Sequence, residues 1–151
     1  MKYIFIVFSF ICTVSFSYSQ TDNPTYDSTL AKKYGADDYG MKNYTLVVLK
    51  TGSNTTANKK FIDSCFAVHM SNMGKMVEAG KLIVAGPFGK NEDSFRGIFI
   101  MDATFDEANL LLQNDAAIKE KLLEAVLYKW YGSAALPGYL PDSEKVRKKG
   151  F

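Results

Sequence analysis

The sequence predicts an α+β domain in which two helices cover one face of a four-stranded antiparallel sheet. Three observations support this: short runs of β-branched and apolar residues, two stretches with apolar residues at three- and four-residue steps, and loop residues between them. In chain order these segments read as strand, helix, strand, strand, helix and strand.

The first half of the pattern is a strand, a long helix and a second strand. Residues 44–49 form an apolar run that predicts a buried strand. The helix that follows has Asn58 as a candidate N-cap, and Gly80 is placed to adopt the left-handed conformation that closes a helix. A short apolar strand then ends at Gly86-Pro87, where we expect the chain to turn sharply.

The second half repeats the alternation. Residues 96–102 predict the third strand. Thr104, with Glu107 three positions later, forms a capping box that begins the second helix. A further short helical piece is predicted over 116–124, and the last strand over 125–131.

This order of elements is the split βαβ, or ferredoxin-like, arrangement. Both helices then lie on the same face of the sheet. The strands carry too few polar residues to leave the other face in water, so that face must be buried elsewhere. We therefore expect a homodimer that forms through this second face.

The N-terminal segment has the features of a secretory signal peptide. Lys2 gives a positive start, residues 3–16 are almost entirely apolar, and Ser17 and Ser19 are small residues at a cleavage site. We predict that 1–19 is removed and that the protein is exported, periplasmic or secreted, with no membrane attachment after cleavage. The rest divides into a flexible leader over 20–42, one domain over 43–132 and a C-terminal tail over 133–151.

Composition excludes several classes of function. The chain has 18 Lys and Arg against 16 Asp and Glu, and cleavage would remove Lys2, leaving a balance near +1. A dedicated nucleic-acid-binding protein would usually carry a basic face, so no nucleic-acid partner is expected. Cleavage also removes Cys12, so Cys65 is the only thiol left and no intramolecular disulfide can form.

His69, the only histidine, lies on the apolar face of the long helix. It is either a buried core residue bonded to backbone or an acid–base group near neutral pH. Cys65 lies one turn earlier and could be a nucleophile activated by His69, although a buried, inert cysteine is the commoner case. One His and one Cys are too few ligands for a metal site, and we expect no metal and no cofactor.

The chain resembles the YCII-related (YciI-like) proteins. The resemblance rests on His69, on the run Glu78-Ala79-Gly80-Lys81-Leu82-Ile83-Val84-Ala85-Gly86-Pro87, on Arg96-Gly97-Ile98, and on Asp115. It implies a dimeric α+β barrel of ferredoxin-like subunits and an active site built on a His–Asp pair, which matches His69 and Asp115. The family usually has proline directly after this aspartate, whereas this chain has Ala116.

Two classes of function stay open at this point. The first is a small enzyme that moves protons on a small organic molecule without a cofactor, as a lyase, isomerase or hydrolase. In that case Gly86 and Pro87, with Cys65, would line the pocket beside His69. The second is a non-catalytic exported module, structural or ligand-binding, whose pocket is vestigial. Ser71, Asn72 and Arg96 are polar residues that could reach a pocket, but the sequence does not fix their direction.

Overall fold

The fold is described from a computed structural model that covers residues 23–143 and 145–148. The predicted signal peptide, 1–19, lies outside these residues. The helices and strands are α1 (Ser28–Tyr34), β1 (Met41–Thr51), α2 (Lys59–Glu78), β2 (Leu82–Pro87), β3 (Phe95–Met101), α3 (Phe105–Gln113), α4 (Ala116–Lys119) and β4 (Leu123–Ser133). A 3-10 turn (Leu136–Tyr139) and α5 (Leu140–Ser143) follow.

The four strands form one sheet in the order β2-β3-β1-β4, and all neighbouring strands are antiparallel. With α2 between β1 and β2, and α3 and α4 between β3 and β4, this is the predicted α+β, ferredoxin-like fold. Among the described residues, no helix is long and apolar enough to cross a bilayer.

The predicted helix ends are confirmed in their hydrogen bonds. Asn58 accepts the backbone N–H of Phe61 at 3.0 Å, and Gly80 adopts a φ of 68° just after α2. Thr104 Oγ1 accepts the N–H of Glu107 at 3.2 Å at the start of α3. These residues fix both ends of α2 and the start of α3, because backbone groups at a helix end have no partner within the helix.

The segment between α3 and β4 differs from the prediction. The helical piece was expected to run to residue 124 and the strand to begin at 125, but α4 ends at Lys119 and β4 begins at Leu123. The cause is Lys121, which adopts a left-handed φ of 57° while the N–H of Leu122 bonds back to the carbonyl of Ala117 at 2.9 Å. This is a Schellman-type helix end built on a lysine instead of the usual glycine.

The N-terminal part is more regular than predicted. The sequence predicts a flexible leader over 20–42, and within this range the structure contains α1 and the first residues of β1, from Met41. Asp27 caps α1 and Gly35 closes it with a φ of 68°. The hydroxyl of Tyr131 donates to the carboxylate of Asp37, and the N–H of Ala134 donates to the carbonyl of Gly40 at 2.9 Å, so this segment is joined to the end of β4.

The two faces of the sheet are covered differently. Alternate residues of β1 and β3 point toward the helices and are buried with side chains of α2, α3 and α4: Val47, Leu49, Phe99 and Met101. The residues between them point to the opposite face, which we call the outer face: Leu46, Val48, Ile98 and Ile100, with Val126 and Tyr128 beside them in β4. All of these outer-face side chains keep part of their surface in water.

Candidate active site

Helix α2 places His69 against the sheet. The buried residues of this helix are Cys65, His69 and Met76, and only 6% of His69 is exposed. The ring of Phe99, from β3, lies nearly parallel to the imidazole with centroids 6.1 Å apart. The ring of Phe66 meets it edge-on at 5.9 Å. The imidazole is therefore held in a largely apolar environment, where an unpaired polar group is costly.

Asp115 is brought to the same place by the junction of α3 and α4. It is the N-cap of α4, with Oδ1 accepting the backbone N–H groups of Ala117 at 3.0 Å and Ile118 at 3.3 Å. The residue is fully buried, with 0% of its surface exposed. The capping role fixes the carboxylate in one orientation, so its other oxygen, Oδ2, points away from α4 toward α2.

The structure brings His69 and Asp115 into direct contact. Nδ1 of His69 lies 2.7 Å from Oδ2 of Asp115. Asn72 Nδ2 donates to the same oxygen at 3.4 Å. Because the other donors to this carboxylate are N–H groups, it acts as an acceptor, and Nδ1 must carry the proton in the bond that it shares. Neutral His69 then has its lone pair on Nε2.

The electrostatics of Asp115 agree with an ionised carboxylate. Burial by itself raises the pKa of Asp115, but the hydrogen bond and the charge of His69 lower it. The hydrogen bonds from Asn72 and from the N–H of Ile118 act in the same direction, and the pKa ends below its ordinary value. Asp115 therefore keeps its charge at neutral pH.

The second ring nitrogen of His69, Nε2, has a different environment from Nδ1. No group among the described residues forms a hydrogen bond with Nε2. Every fully buried side-chain nitrogen or oxygen in the described part of the chain does have a partner. Nε2 must therefore reach the surface, through the small exposed fraction of the residue. One nitrogen is held by a buried carboxylate and the other is free to meet a ligand.

Cys65 does not join this pair. It is a free, buried thiol that packs in the core with side chains from the sheet and helices, and no hydrogen bond links it to His69. The contact required for a thiol activated by His69 is thus missing. The described residues also contain no cluster of three or more His, Cys, Asp or Glu side chains that could hold a metal.

The predicted pocket wall, Gly86 and Pro87, is the end of β2, where Pro87 pairs with Gly97 and therefore lies on the same face of the sheet as Phe99. Gly86 pairs with Ile98, which places it on the outer face, whereas the preceding residue, Ala85, pairs with Phe99, the ring beside His69. A Cβ added at Gly86 would meet no atom within 4 Å, so the space beside it is open.

Two clefts on the surface lie away from the His69–Asp115 pair. One, of about 380 Å³, lies between α3, α4 and β4. The other, of about 530 Å³, lies beside the start of α3. Neither is lined by His69, Asp115, Gly86 or Pro87.

Among the polar residues that the sequence left open, Asn72 is the one that joins the pair. It lies three residues after His69, so the helical repeat places both side chains on one side of α2. Ser71 and Arg96 are exposed. The sequence contains the spacing of His69 and Asn72, but it gives no sign that a carboxylate 43 residues further on would receive the amide.

Comparison with known proteins gives a limited result. No protein-family model and no curated protein sequence matches the chain. Among solved structures, the chain is similar to 5-chloro-2-hydroxyhydroquinone dehydrochlorinase from Burkholderia phenoliruptrix in complex with 2,5-dihydroxybenzoquinone. The identity is 19% and the TM-score 0.42, with 57% of this chain and 92% of that chain covered. The relation to the YCII-related proteins stays a prediction, and the chemistry of the site has to be derived from the contacts of its own residues.

Proposed function

We propose that this protein is a small-molecule enzyme that uses His69 as a general acid or base, without a cofactor. One observation carries the proposal: Nδ1 of His69 is held by the buried carboxylate of Asp115 at 2.7 Å, while Nε2 has no partner among residues 23–143 and 145–148 and reaches the surface. In a histidine with only a packing role, we would expect both ring nitrogens to be buried, each with a hydrogen-bond partner in the protein.

The chemistry follows from the tautomer. Nε2 accepts a proton from an acidic C–H or O–H group of a bound molecule, and the ring becomes an imidazolium. The carboxylate of Asp115 stabilises that charge through the existing hydrogen bond. In an isomerase the same nitrogen returns the proton to another atom of the substrate, and in a lyase it gives the proton to the leaving group as the double bond forms. In a hydrolase the first proton comes from a water molecule instead: the water oxygen attacks the substrate, the bond to the leaving group breaks, and Nε2 passes the proton to that group.

The test is a screen for proton transfer. The protein is incubated in D₂O with a panel of small carbonyl, halogenated and hydroxylated compounds, and deuterium uptake and product formation are followed by NMR. For any compound that reacts, we expect His69→Ala to reduce the rate by about 10²–10⁴-fold, the usual contribution of a positioned acid–base group. Val68→Ala, at the exposed neighbouring position of α2, serves as the matched control and should keep the rate. Full activity in His69→Ala would overturn the proposal.

The second candidate is a non-catalytic module, structural or ligand-binding, whose pocket is vestigial. It is favoured by the position of the two clefts, since neither reaches His69. The two candidates differ in whether a ligand perturbs the Nε2 and Cε1 resonances of His69. A compound that binds without moving these signals, and without turnover, would support the second candidate.

We also propose that the protein is an exported homodimer. The partly exposed apolar residues of the outer face support the dimer, and the layout of 1–19 supports export. Mass spectrometry of protein from its native host should find a mature N-terminus at or near Gln20. Protein that retains Met1 would contradict export.

A further inference from the structure

Asn72 lies in α2 one turn after His69 and is partly buried. Its side-chain amide reaches Oδ2 of Asp115 at 3.4 Å, the same oxygen that receives Nδ1 of His69 at 2.7 Å. The orientation of the amide is fixed by charge, because its carbonyl oxygen would repel the carboxylate whereas its NH₂ group donates to it. One helix therefore sends two donors to one oxygen of a residue that belongs to another helix.

Asn72 completes the set of donors around Asp115. Oδ1 receives the N–H groups of Ala117 and Ile118, and Oδ2 receives His69 and Asn72. A carboxylate has about four acceptor positions, so all of them are filled. Asp115 is fully buried, so water can supply a donor in place of one that is removed only if the substitution opens a space for it.

We propose that Asn72 is a positioning residue for the acid–base pair: it occupies one acceptor position of Oδ2 and thereby keeps the carboxylate ionised and aimed at Nδ1 of His69. This inference rests on the proposed function of the pair. Without the amide of Asn72, three donors would remain on the carboxylate: His69 and the N–H groups of Ala117 and Ile118. With one hydrogen bond fewer to stabilise its negative charge, the carboxylate would become more basic. The proton between Nδ1 and Oδ2 would then be held more closely by Asp115. The carboxylate would carry less negative charge and would stabilise the imidazolium less.

A purely structural role is the competing explanation, since the same bond also ties α2 to the start of α4. The two roles predict different results. A structural tie affects the stability of the fold, whereas a positioning role also changes the protonation of Asp115 and the Nδ1 proton. His69 is the titratable group in contact with Asp115. Lys119 and Glu120, near the end of α4, are exposed to solvent, and Cys65 lies one turn before His69.

The experiment compares Asn72→Leu with the wild type by NMR. Leucine keeps the approximate shape, excludes water and cannot donate. We expect the titration of the Asp115 carboxyl carbon to move to higher pH, and the signal of the Nδ1 proton of His69 to shift. Ser71→Leu, at the adjacent exposed position, is the matched control and should leave both signals in place.

Asn72→Ala is the second variant if Asn72→Leu does not fold. It leaves a small space at a partly buried position, so water can replace the lost donor in part and the changes should be smaller in the same direction. Unchanged carboxyl and Nδ1 signals in a folded variant with lowered Tm would overturn the proposal and leave the structural tie. These measurements need no substrate, so a failure of the proposed catalytic function in His69→Ala would be seen separately.

Discussion

The two faces of the sheet differ although the same strands supply both. In β1, Val47 is fully buried under the helices, whereas its neighbour Val48 points to the outer face and is only partly buried. In β4, Tyr128 of the outer face is 50% exposed. The helix-covered face holds the core and the His69–Asp115 pair, and the outer face holds apolar side chains that the described helices do not cover. The comparison separates residues that stabilise the subunit from residues that are available for association.

The largest expected effect concerns Phe99, on the helix-covered face. Phe99→Ala should lower the free energy of unfolding by about 3–5 kcal/mol, because it removes a buried ring and leaves a cavity beside His69. Ile98→Ala, at the next residue of β3, is the matched outer-face change and should cost about 1 kcal/mol. Denaturant unfolding followed by circular dichroism measures both.

The dependence on protein concentration sharpens this comparison. The cost of Phe99→Ala within the subunit should be the same at low and high concentration. The cost of Ile98→Ala should grow with concentration, because association stabilises the folded state by mass action. Equal costs for the two variants at every concentration would show that the faces do not differ in the way described.

The second expected effect is that of Asp115→Asn. Removing the charge partner of a buried imidazole should cost about 1–3 kcal/mol at neutral pH, while asparagine retains the ability to cap α4. Because the pKa of Asp115 is lowered in the folded state, the folded protein binds fewer protons than the unfolded chain. The contribution of ionised Asp115 to the free energy of unfolding is therefore fully present above the pKa of an aspartate in the unfolded chain, about 3.9. It is lost as the pH falls through the lower pKa that Asp115 has in the folded protein.

The measurement is the difference in unfolding free energy between the wild type and Asp115→Asn at several pH values. It should shrink as the pH falls below about 4, where Asp115 becomes protonated. Asp37 and Glu107 also have lowered pKa values, but they are present in both proteins and cancel in the difference. A difference that grows as the pH falls from about 4 toward 2 would contradict the assignment of Asp115 as the ionised partner.

The smallest effect on the subunit is expected for Tyr128→Lys. A half-exposed position tolerates this change within about 0.5 kcal/mol in the isolated chain. Association should nevertheless be lost, because a lysine on the outer face would be buried against a second copy without a partner. Sedimentation velocity at micromolar concentration measures the loss, with Val68→Lys on α2 as the control that should keep the dimer. A Tyr128→Lys variant that remains a dimer would exclude the outer face as the interface.

The sequence predicted the helices correctly where a capping residue stands at the end of a stretch with helical apolar periodicity. Asn58, Gly80 and Thr104 each have a residue type that suits one cap, and each cap is present. Lys121 is the opposite case, because a lysine in the left-handed region has no signature in the sequence. Helix α1 was missed because it contains no buried residue and hence no apolar periodicity; its only signals are the caps Asp27 and Gly35.

The site was predictable in part. The spacing of the apolar residues in α2 was enough to predict that His69 faces the sheet. The contact with Asp115 came from the resemblance to a family, since 46 residues separate the two positions. The hydrogen bond between Asn72 and Asp115 depends on where the start of α4 lies relative to α2, and the local sequence pattern does not contain that information. The wall at Gly86 and Pro87 stays a prediction. A register shift between Leu82 and Val84 makes the face of each β2 residue hard to derive from alternation.

The cap that Asp115 forms on α4 has a consequence for interpreting natural variation. A capping side chain at position 115 stabilises this segment whether or not a reaction takes place, so selection for stability alone would keep Asp, Asn, Ser or Thr there. His69 has no comparable duty in the backbone. A homologue that keeps the aspartate and has replaced the histidine would therefore be a structural descendant without the chemistry, and the histidine is the position by which active members should be recognised.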